Sequence, residues 1–231
     1  MTAGAPLRER LREALAGALP GIDAQRLAWP DDLPGRLDRQ DVSTYDAAAV
    51  LIALHETPGA DGSRYFFPLI LRTRGTGPHP GQFALPGGRC EEGEAPLPCA
   101  LREAEEEIGL PGGSVEVLGL LTPVPVAVSR NLIRPAVGWV RTEPRPSHRL
   151  PEWTPQVGEV EAVFTADPDQ LARDGPRRVL RRLRQGFDRE VPAWIVSSAA
   201  GEAVVWGATA IVLSEFLTIW RAVRAEVTPE A

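Results

Sequence analysis

The sequence predicts an α/β protein in which helices pack on a mixed β-sheet. Three observations point that way. Two apolar runs, "AAAVLIALHE" (47–56) and "YFFPLILRTR" (65–74), flank the turn-forming stretch "GADGS" (59–63) and have the length and branched-residue content of paired strands. The segment from Pro96 to Ile108 starts on proline and is stopped by Gly109 and "PGG", as a helix would be. Further strand-like stretches at 114–121, 132–141, 159–165 and 191–196 mix irregularly with helical ones, unlike a regular parallel βα alternation.

The elements follow in order. Leu7, Leu11, Ala14, Leu15 and Ala18 recur at helical spacing and predict an amphipathic helix over 6–18. "PGIDAQRLAWPDDLPGRLDRQD" then has the Pro, Gly and Asp content of an irregular connection. Residues 1–44 are therefore expected to form an N-terminal helical extension with its connection, 45–225 the main domain, and 226–231 a tail. "RTEPRPSHRLPEWTPQ" (141–156) is expected to be a long loop facing a substrate. "RRVLRRLRQGFDRE" (177–190) is expected to be the solvated basic face of a helix. A last helix over 208–224 has Ile211, Leu213, Phe216, Leu217 and Trp220 as its apolar side.

Composition limits the function. A hydrophobic share of 43% beside 24% charged residues suits a globular chain of 231 residues with a sizeable core. All 25 basic residues are Arg, and the net charge is −6, which argues against a broad nucleic-acid-binding face. A small anionic substrate remains compatible if local Arg residues or metal ions offset that field. Cys90 and Cys99 form no disulfide framework and no zinc spacing, and His55, His79 and His148 are scattered. Trp153, Trp194 and Trp206 suit core or loop packing, with Trp153 also able to stack on an adenine. The longest apolar runs, "AAAVLIAL" and "AVVWGATAIVL", are too short to span a membrane. The N-terminus lacks a signal-peptide core, and Glu9 and Glu13 argue against a transit peptide, so a cytoplasmic monomer or homodimer is expected.

One stretch stands out. "GRCEEGEAPLPCALREAEEEIGL" (88–110) holds seven glutamates, four of them within 102–107. On a helix, Glu103, Glu106 and Glu107 share one face, and like charges at such spacing oppose folding by roughly 0.2–0.5 kcal/mol per pair. A solvated acidic helix tolerates that, but the surrounding spacing argues for more. Gly88, five residues, Glu94, seven residues, then Arg102-Glu103-Ala104-Glu105-Glu106-Glu107-Ile108-Gly109-Leu110 resembles the Nudix box, G-x5-E-x7-R-E-U-x-E-E-x-G-U. Every fixed position matches; the departure is Ala104 where the family has a bulky aliphatic residue.

The resemblance implies a Nudix α/β/α sandwich with a mixed β-sheet and hydrolysis of a nucleoside diphosphate linked to another moiety. Three carboxylates on one face are hard oxygen donors suited to Mg²⁺ or Mn²⁺, which would neutralise charge building on phosphoryl oxygens and ease deprotonation of water. It implies Glu103, Glu106, Glu107 and Gly88 as metal-binding positions. Glu94 would act as a more distant or water-mediated ligand, and Arg102 would orient a glutamate. The general base implied is one of Glu103, Glu106 and Glu107, or else Glu159 or Glu161, because the family does not always place it alike.

Upstream, "LILRTRGTGPHPGQFALPGG" resembles the coenzyme A pyrophosphatase branch. Arg72, Thr73, Gly81 and Pro86-Gly87-Gly88 match its signature, while Gly77 and Leu85 replace an Arg and a Phe. "VGEVEAVF" (157–164) and "VVWGATAIVLSEFL" (204–217) extend the likeness; 122–156 matches poorly. The implied substrate is coenzyme A or a derivative, cut to 3′,5′-ADP and 4′-phosphopantetheine, with Arg72, Arg74, His79, Gln82 and Gly87 at the substrate. Alternatives are ADP-ribose, NADH, a dinucleotide or a nucleoside triphosphate, or a Nudix-fold regulator that binds a nucleotide without cutting it.

Overall fold

The computed structural model describes residues 5–30, 41–59, 62–74, 79–141, 152–182, 188–198 and 201–225. Gly77, His148, most of the 141–156 loop and the 226–231 tail lie outside the described residues. The chain opens with α1 (Leu7–Ala16) and a short α2 (Gly21–Gln25), then enters a long strand, β1 (Asp46–Gly59). β2 (Gly62–Arg72), β3 (Phe83–Ala84), β4 (Gly87–Arg89), α3 (Pro96–Ile108), β5 (Val115–Leu120), β6 (Val124–Val126), β7 (Asn131–Val140) and β8 (Val160–Ala166) follow. α4 (Pro168–Asp174), β9 (Arg177–Arg182), β10 (Asp188–Ser198), β11 (Gly201–Trp206) and α5 (Gly207–Ala225) complete the chain.

The main sheet runs β3-β2-β1-β7-β5, with β4 added to β1, β6 to β7 and β8 to β2. It is mixed: β1 pairs parallel with β7 and antiparallel with β2 and β4. Alternation along β1 places it between two layers. Ala49, Leu51 and Ala53 join the buried cluster containing Cys99, Ala100, Ala104 and Ile108 of α3. Ile52 and Leu54 join the other cluster, with Leu11 and Leu15 of α1 and most of α5. The α/β/α layering expected from the resemblance is therefore present, and the N-terminal helix shares the main core. Ala104 is fully buried against the sheet, so its small size affects packing.

α5 is buried over more than its expected apolar side: Ser214 and Glu215 are also inaccessible. Several elements cover the helix: α1, α2 and α4 pack on it, and so do β10 and β11 of a second sheet, β11-β10-β9. Glu215 is buried with partners, accepting from Gln25 Nε2 at 2.9 Å and from Thr122 Oγ1 at 2.7 Å. These bonds tie α2 and the β5–β6 connection to α5.

The described parts of the basic segment, 177–182 and 188–190, are strand and not helix. Arg177–Arg182 pairs antiparallel with β10, with Val179 opposite Val191. Neither a helical nor a two-residue period is clean in this stretch, and pairing with β10 decides its conformation.

Candidate active site

α3 is delimited by backbone chemistry. Pro96 stands in its first turn, where no N–H is needed, and Gly109 ends it at φ 69°, its N–H donating to Glu105 O at 2.9 Å. The chain enters the helix through β4 and a loop. At Gly87 (φ 149°) a Cβ would fall 2.2 Å from Ala49 O, so only glycine lets β4 lie this close to β1. At Gly88 a Cβ would fall 2.4 Å from a carboxylate oxygen of Glu103. The two glycines thus bring the loop backbone against the glutamate face of α3.

Arg102 organises the exposed side of that face. Its Nε and Nη2 each donate to Glu94 at 2.9 Å, and its Nη1 donates to Glu103 at 2.9 Å and to Glu106 at 3.1 Å. Hydrogen bonds from Arg102, then from the backbone at Glu91, hold the Glu94 carboxyl down to about 2. Arg102 in turn is held even more firmly protonated by Glu94. Glu106 is the most open of the three helix glutamates, with 51% of its side chain exposed.

Glu107 occupies the opposite situation, at 1% exposure. Its Oε2 accepts from Gly87 N at 2.8 Å, and Arg72 Nη2 lies 3.4 Å from its Oε1 while donating to Gly87 O at 2.9 Å. Burial nevertheless dominates and pushes the Glu107 carboxyl up to about 7; Arg72 and the Gly87 N–H oppose the shift, while Glu103 and Glu159 add to it. Burial also raises Glu103, against the pull of Arg102. The three glutamates do not all bring oxygens within 4.8 Å of one another, because Gly87 and Arg102 draw them to different partners.

The segment before β8 closes the far end of α3. Thr154 N donates to Ile108 O at 3.0 Å and Gln156 N to Glu107 O at 2.9 Å. Thr73 then fixes the next residues, its N–H donating to Glu159 O at 3.0 Å and its hydroxyl to Gly158 O at 2.9 Å. Glu159 is thereby near enough for its charge to act on Glu107. Glu161, two residues on, is exposed on β8. The anchoring role of Thr73 has no signal in the sequence beyond its place in the signature.

Arg74, His79 and Gln82 lie on the β2–β3 connection. Gln82 O accepts from Arg72 N at 3.0 Å, His79 adopts a left-handed φ of 59°, and the stem of exposed Arg74 runs beside Gly81. His55 is buried, stacked on Phe66 at 4.9 Å and edge-on to Trp153 at 5.1 Å. Trp153 thus packs within the protein, as does Trp194.

A NUDIX domain model matches residues 46–183, more than half of the chain. The chain belongs to the Nudix family. Nudix hydrolase 22, chloroplastic, of Arabidopsis thaliana is 36% identical over 177 residues, covering 74% of this chain and 54% of that protein. The uncharacterized Nudix hydrolase NudL of Salmonella newport is 37% identical over 138 residues, covering 59% and 66%. This Nudix chain thus spans about half to two thirds of the length of these curated relatives. The crystal structure of a MutT/nudix family protein from Enterococcus faecalis aligns at a TM-score of 0.47 and 17% identity, over 86% of this chain and 72% of that one. No helix among the described residues is long and apolar enough to cross a membrane.

Proposed function

We propose that this Nudix chain is a Mg²⁺- or Mn²⁺-dependent diphosphatase acting on a nucleoside diphosphate derivative, and that coenzyme A or an acylated form is its substrate. The observation carrying the reaction class is the crowding of Glu103, Glu106, Glu107 and Glu159 at one end of the sheet, with Arg72 and Arg102 as the guanidiniums engaging the three helix glutamates. Hard divalent cations fit that surplus of carboxylate oxygen, including a buried carboxyl that burial pushes up to about 7. Glu103, Glu106, Glu107 and the Gly88 carbonyl would hold them. When bound, they supply charge neutralisation on the phosphoryl oxygens.

The chain's own residues prepare that site. Arg102 spaces Glu103 and Glu106, and Glu94 holds Arg102 in place. Arg72 and Gly87 orient Glu107. Glu106 and Glu159, both exposed, are better placed than buried Glu107 to take a proton from water; Glu161 is the third choice. The coenzyme A reading rests on the signature match from Arg72 to Gly88. Arg72 spends one guanidinium nitrogen on Gly87 and Glu107, so exposed Arg74, with His79 and Gln82 on the same connection, takes the larger share of phosphate contact. The same inward engagement of Arg72 favours a second reading, the same chemistry on a substrate without a 3′-phosphate.

A substrate panel separates the two. Coenzyme A should show a higher kcat/KM than ADP-ribose, NADH or a nucleoside triphosphate, and dephospho-coenzyme A should fall by about tenfold or more, one charge-assisted contact's worth. ADP-ribose or a triphosphate outperforming coenzyme A would overturn the substrate and leave the reaction class standing. No product release with any of them in Mg²⁺ or Mn²⁺ would overturn both.

A further inference from the structure

The spacing of Cys90 and Cys99 matches no zinc motif, yet the fold brings them together. Cys90 follows β4, its N–H donating to Ala47 O at 2.9 Å, and Cys99 lies buried in the first turns of α3. The loop between them returns Glu94 to the same place. One ligand atom from each of Cys90, Glu94 and Cys99 lies within 4.8 Å of the other two, the one such gathering of three among the described residues.

We propose that Cys90, Glu94 and Cys99 form a site for a thiophilic divalent cation of the Zn²⁺ class, separate from the carboxylate cluster. Soft thiolate donors select such an ion over Mg²⁺, which prefers oxygen alone. A tetrahedral site with metal–sulfur distances of about 2.3 Å places its ligand atoms roughly 3.8 Å apart, so the observed spacing needs a contraction of no more than about 1 Å. The donors are also held in place. Glu94 is fixed by two bonds from Arg102 and one from Glu91 N at 2.8 Å. Cys99 Sγ is within 3.9 Å of both Gly88 O and Arg102 Nη2.

Charge is largely offset as well. Two thiolates and one carboxylate around a divalent cation leave one negative charge, and the Arg102 guanidinium, shared with Glu103 and Glu106, faces it. A carboxylate offers about four lone-pair positions, and Arg102 and Glu91 take three; the Cys99 thiol lies within hydrogen-bonding reach of Glu94. The cation would stand where that thiol proton does, with both thiol protons released to solvent on binding. The remaining tetrahedral position is left to water.

The test uses the full-length reduced protein in excess Mg²⁺, which keeps the carboxylate cluster occupied. Titration with Cd²⁺ should develop thiolate-to-metal absorption in the ultraviolet that saturates at one equivalent, and Zn²⁺ should abolish it by displacement. Cys90→Ser should lose about half the amplitude, and Cys99→Ser likewise. Glu94→Gln should keep the amplitude and weaken binding about 10–100-fold. Cys90 is only half-buried, so its variant should keep the far-ultraviolet circular dichroism of the parent protein. Absorption that fails to saturate at one equivalent, or that persists unchanged in a folded Cys90→Ser protein, would overturn the proposal.

Discussion

Replacing Glu107 by Gln removes one negative charge from the most buried carboxylate of the site and keeps its shape. Burial pushes this carboxyl from 4.5 up to about 7, so the folded protein binds its proton more tightly than the unfolded chain. The stability this gives is fully present below pH 4.5 and is lost as pH rises through about 7. At alkaline pH the ionised carboxylate therefore opposes folding, by a ceiling of about 3 kcal/mol for a shift of that size. The Glu107→Gln variant would avoid that penalty, but its amide has one acceptor oxygen where the carboxylate had two, so its N–H₂ group must face either Arg72 or the Gly87 N–H, which returns part of the gain. The net expectation is about 1–2 kcal/mol of stabilisation without divalent cations at about pH 9, a rise in Tm of roughly 2–8 °C for a chain this long. At about pH 5 most of the difference should vanish, because the parental carboxyl is then protonated too.

Activity should move the other way. If Glu107 holds a cation that neutralises charge in the transition state, its loss should lower kcat by about 10²–10³. Thermal melts at the two pH values, with chelator and with Mg²⁺, and steady-state turnover on the same samples supply all the readouts. Mg²⁺ should raise the Tm of the parent protein at alkaline pH more than that of the variant, since only binding to the folded state stabilises it. A Glu107→Gln protein that melts below the parent in chelator at about pH 9 would refute the electrostatic reasoning, because burial could not then dominate the carboxyl. Near-normal turnover would refute the metal role.

Three further outcomes follow from the same geometry. Gly88→Ala should fold, since its Cβ meets the movable end of Glu103 at 2.4 Å, but should lose turnover by about tenfold or more as that carboxylate is displaced; a fully active variant would remove Glu103 from the site. Gly87→Ala faces backbone atoms of Ala49 and Val50 at a φ of 149°, so it should destabilise severely and show as insoluble expression or a collapsed urea midpoint. Glu215→Ala removes the acceptor of the Thr122 N–H and hydroxyl and one of the two acceptors of Gln25 Nε2, and should cost about 2–3 kcal/mol by urea unfolding, while the folded fraction keeps its kcat.

Much of this arrangement is legible before folding because it rests on local periodicity. Glu103, Glu106 and Glu107 share a face by helical geometry, and Pro96 and Gly109 bound the helix by backbone chemistry, so that part of the site follows from residues 88–110 alone. What the sequence hides is tertiary. Arg72 looks like a free phosphate arm, and only the antiparallel pairing of β4 with β1 shows its guanidinium meeting Gly87 O and Glu107. Thr73 reads as a small signature residue, yet it is what fixes Glu159 relative to Glu107. The basic stretch at 177–182 carries no clean period of either kind, and a partner strand settles it. Cys90 and Cys99 stand too far apart in sequence to match any motif, and the turn through Glu94 is what joins them.

The charges of the site explain why its two arginines face inward. Glu94, Glu103 and Glu106 converge on Arg102, while Glu107, with Glu159 nearby, faces Arg72, so anionic groups outnumber cationic ones. A cluster with that surplus opposes folding unless protons or cations enter it, and burial at Glu107 already favours the proton. Turning Arg72 outward toward a phosphate would leave Glu107 with the Gly87 N–H alone and raise that penalty further. The protein therefore gains more from Arg72 as an internal counter-charge than as a hand for substrate. Under the proposed function, phosphate recognition would fall instead to the β2–β3 connection, where Arg74 is exposed. On this reasoning Arg72→Ala should impair folding and cation binding together, whereas Arg74→Ala should raise KM about tenfold with kcat and Tm nearly unchanged. Equal effects of the two substitutions on KM, with no loss of stability in either, would show that Arg72 serves the substrate after all.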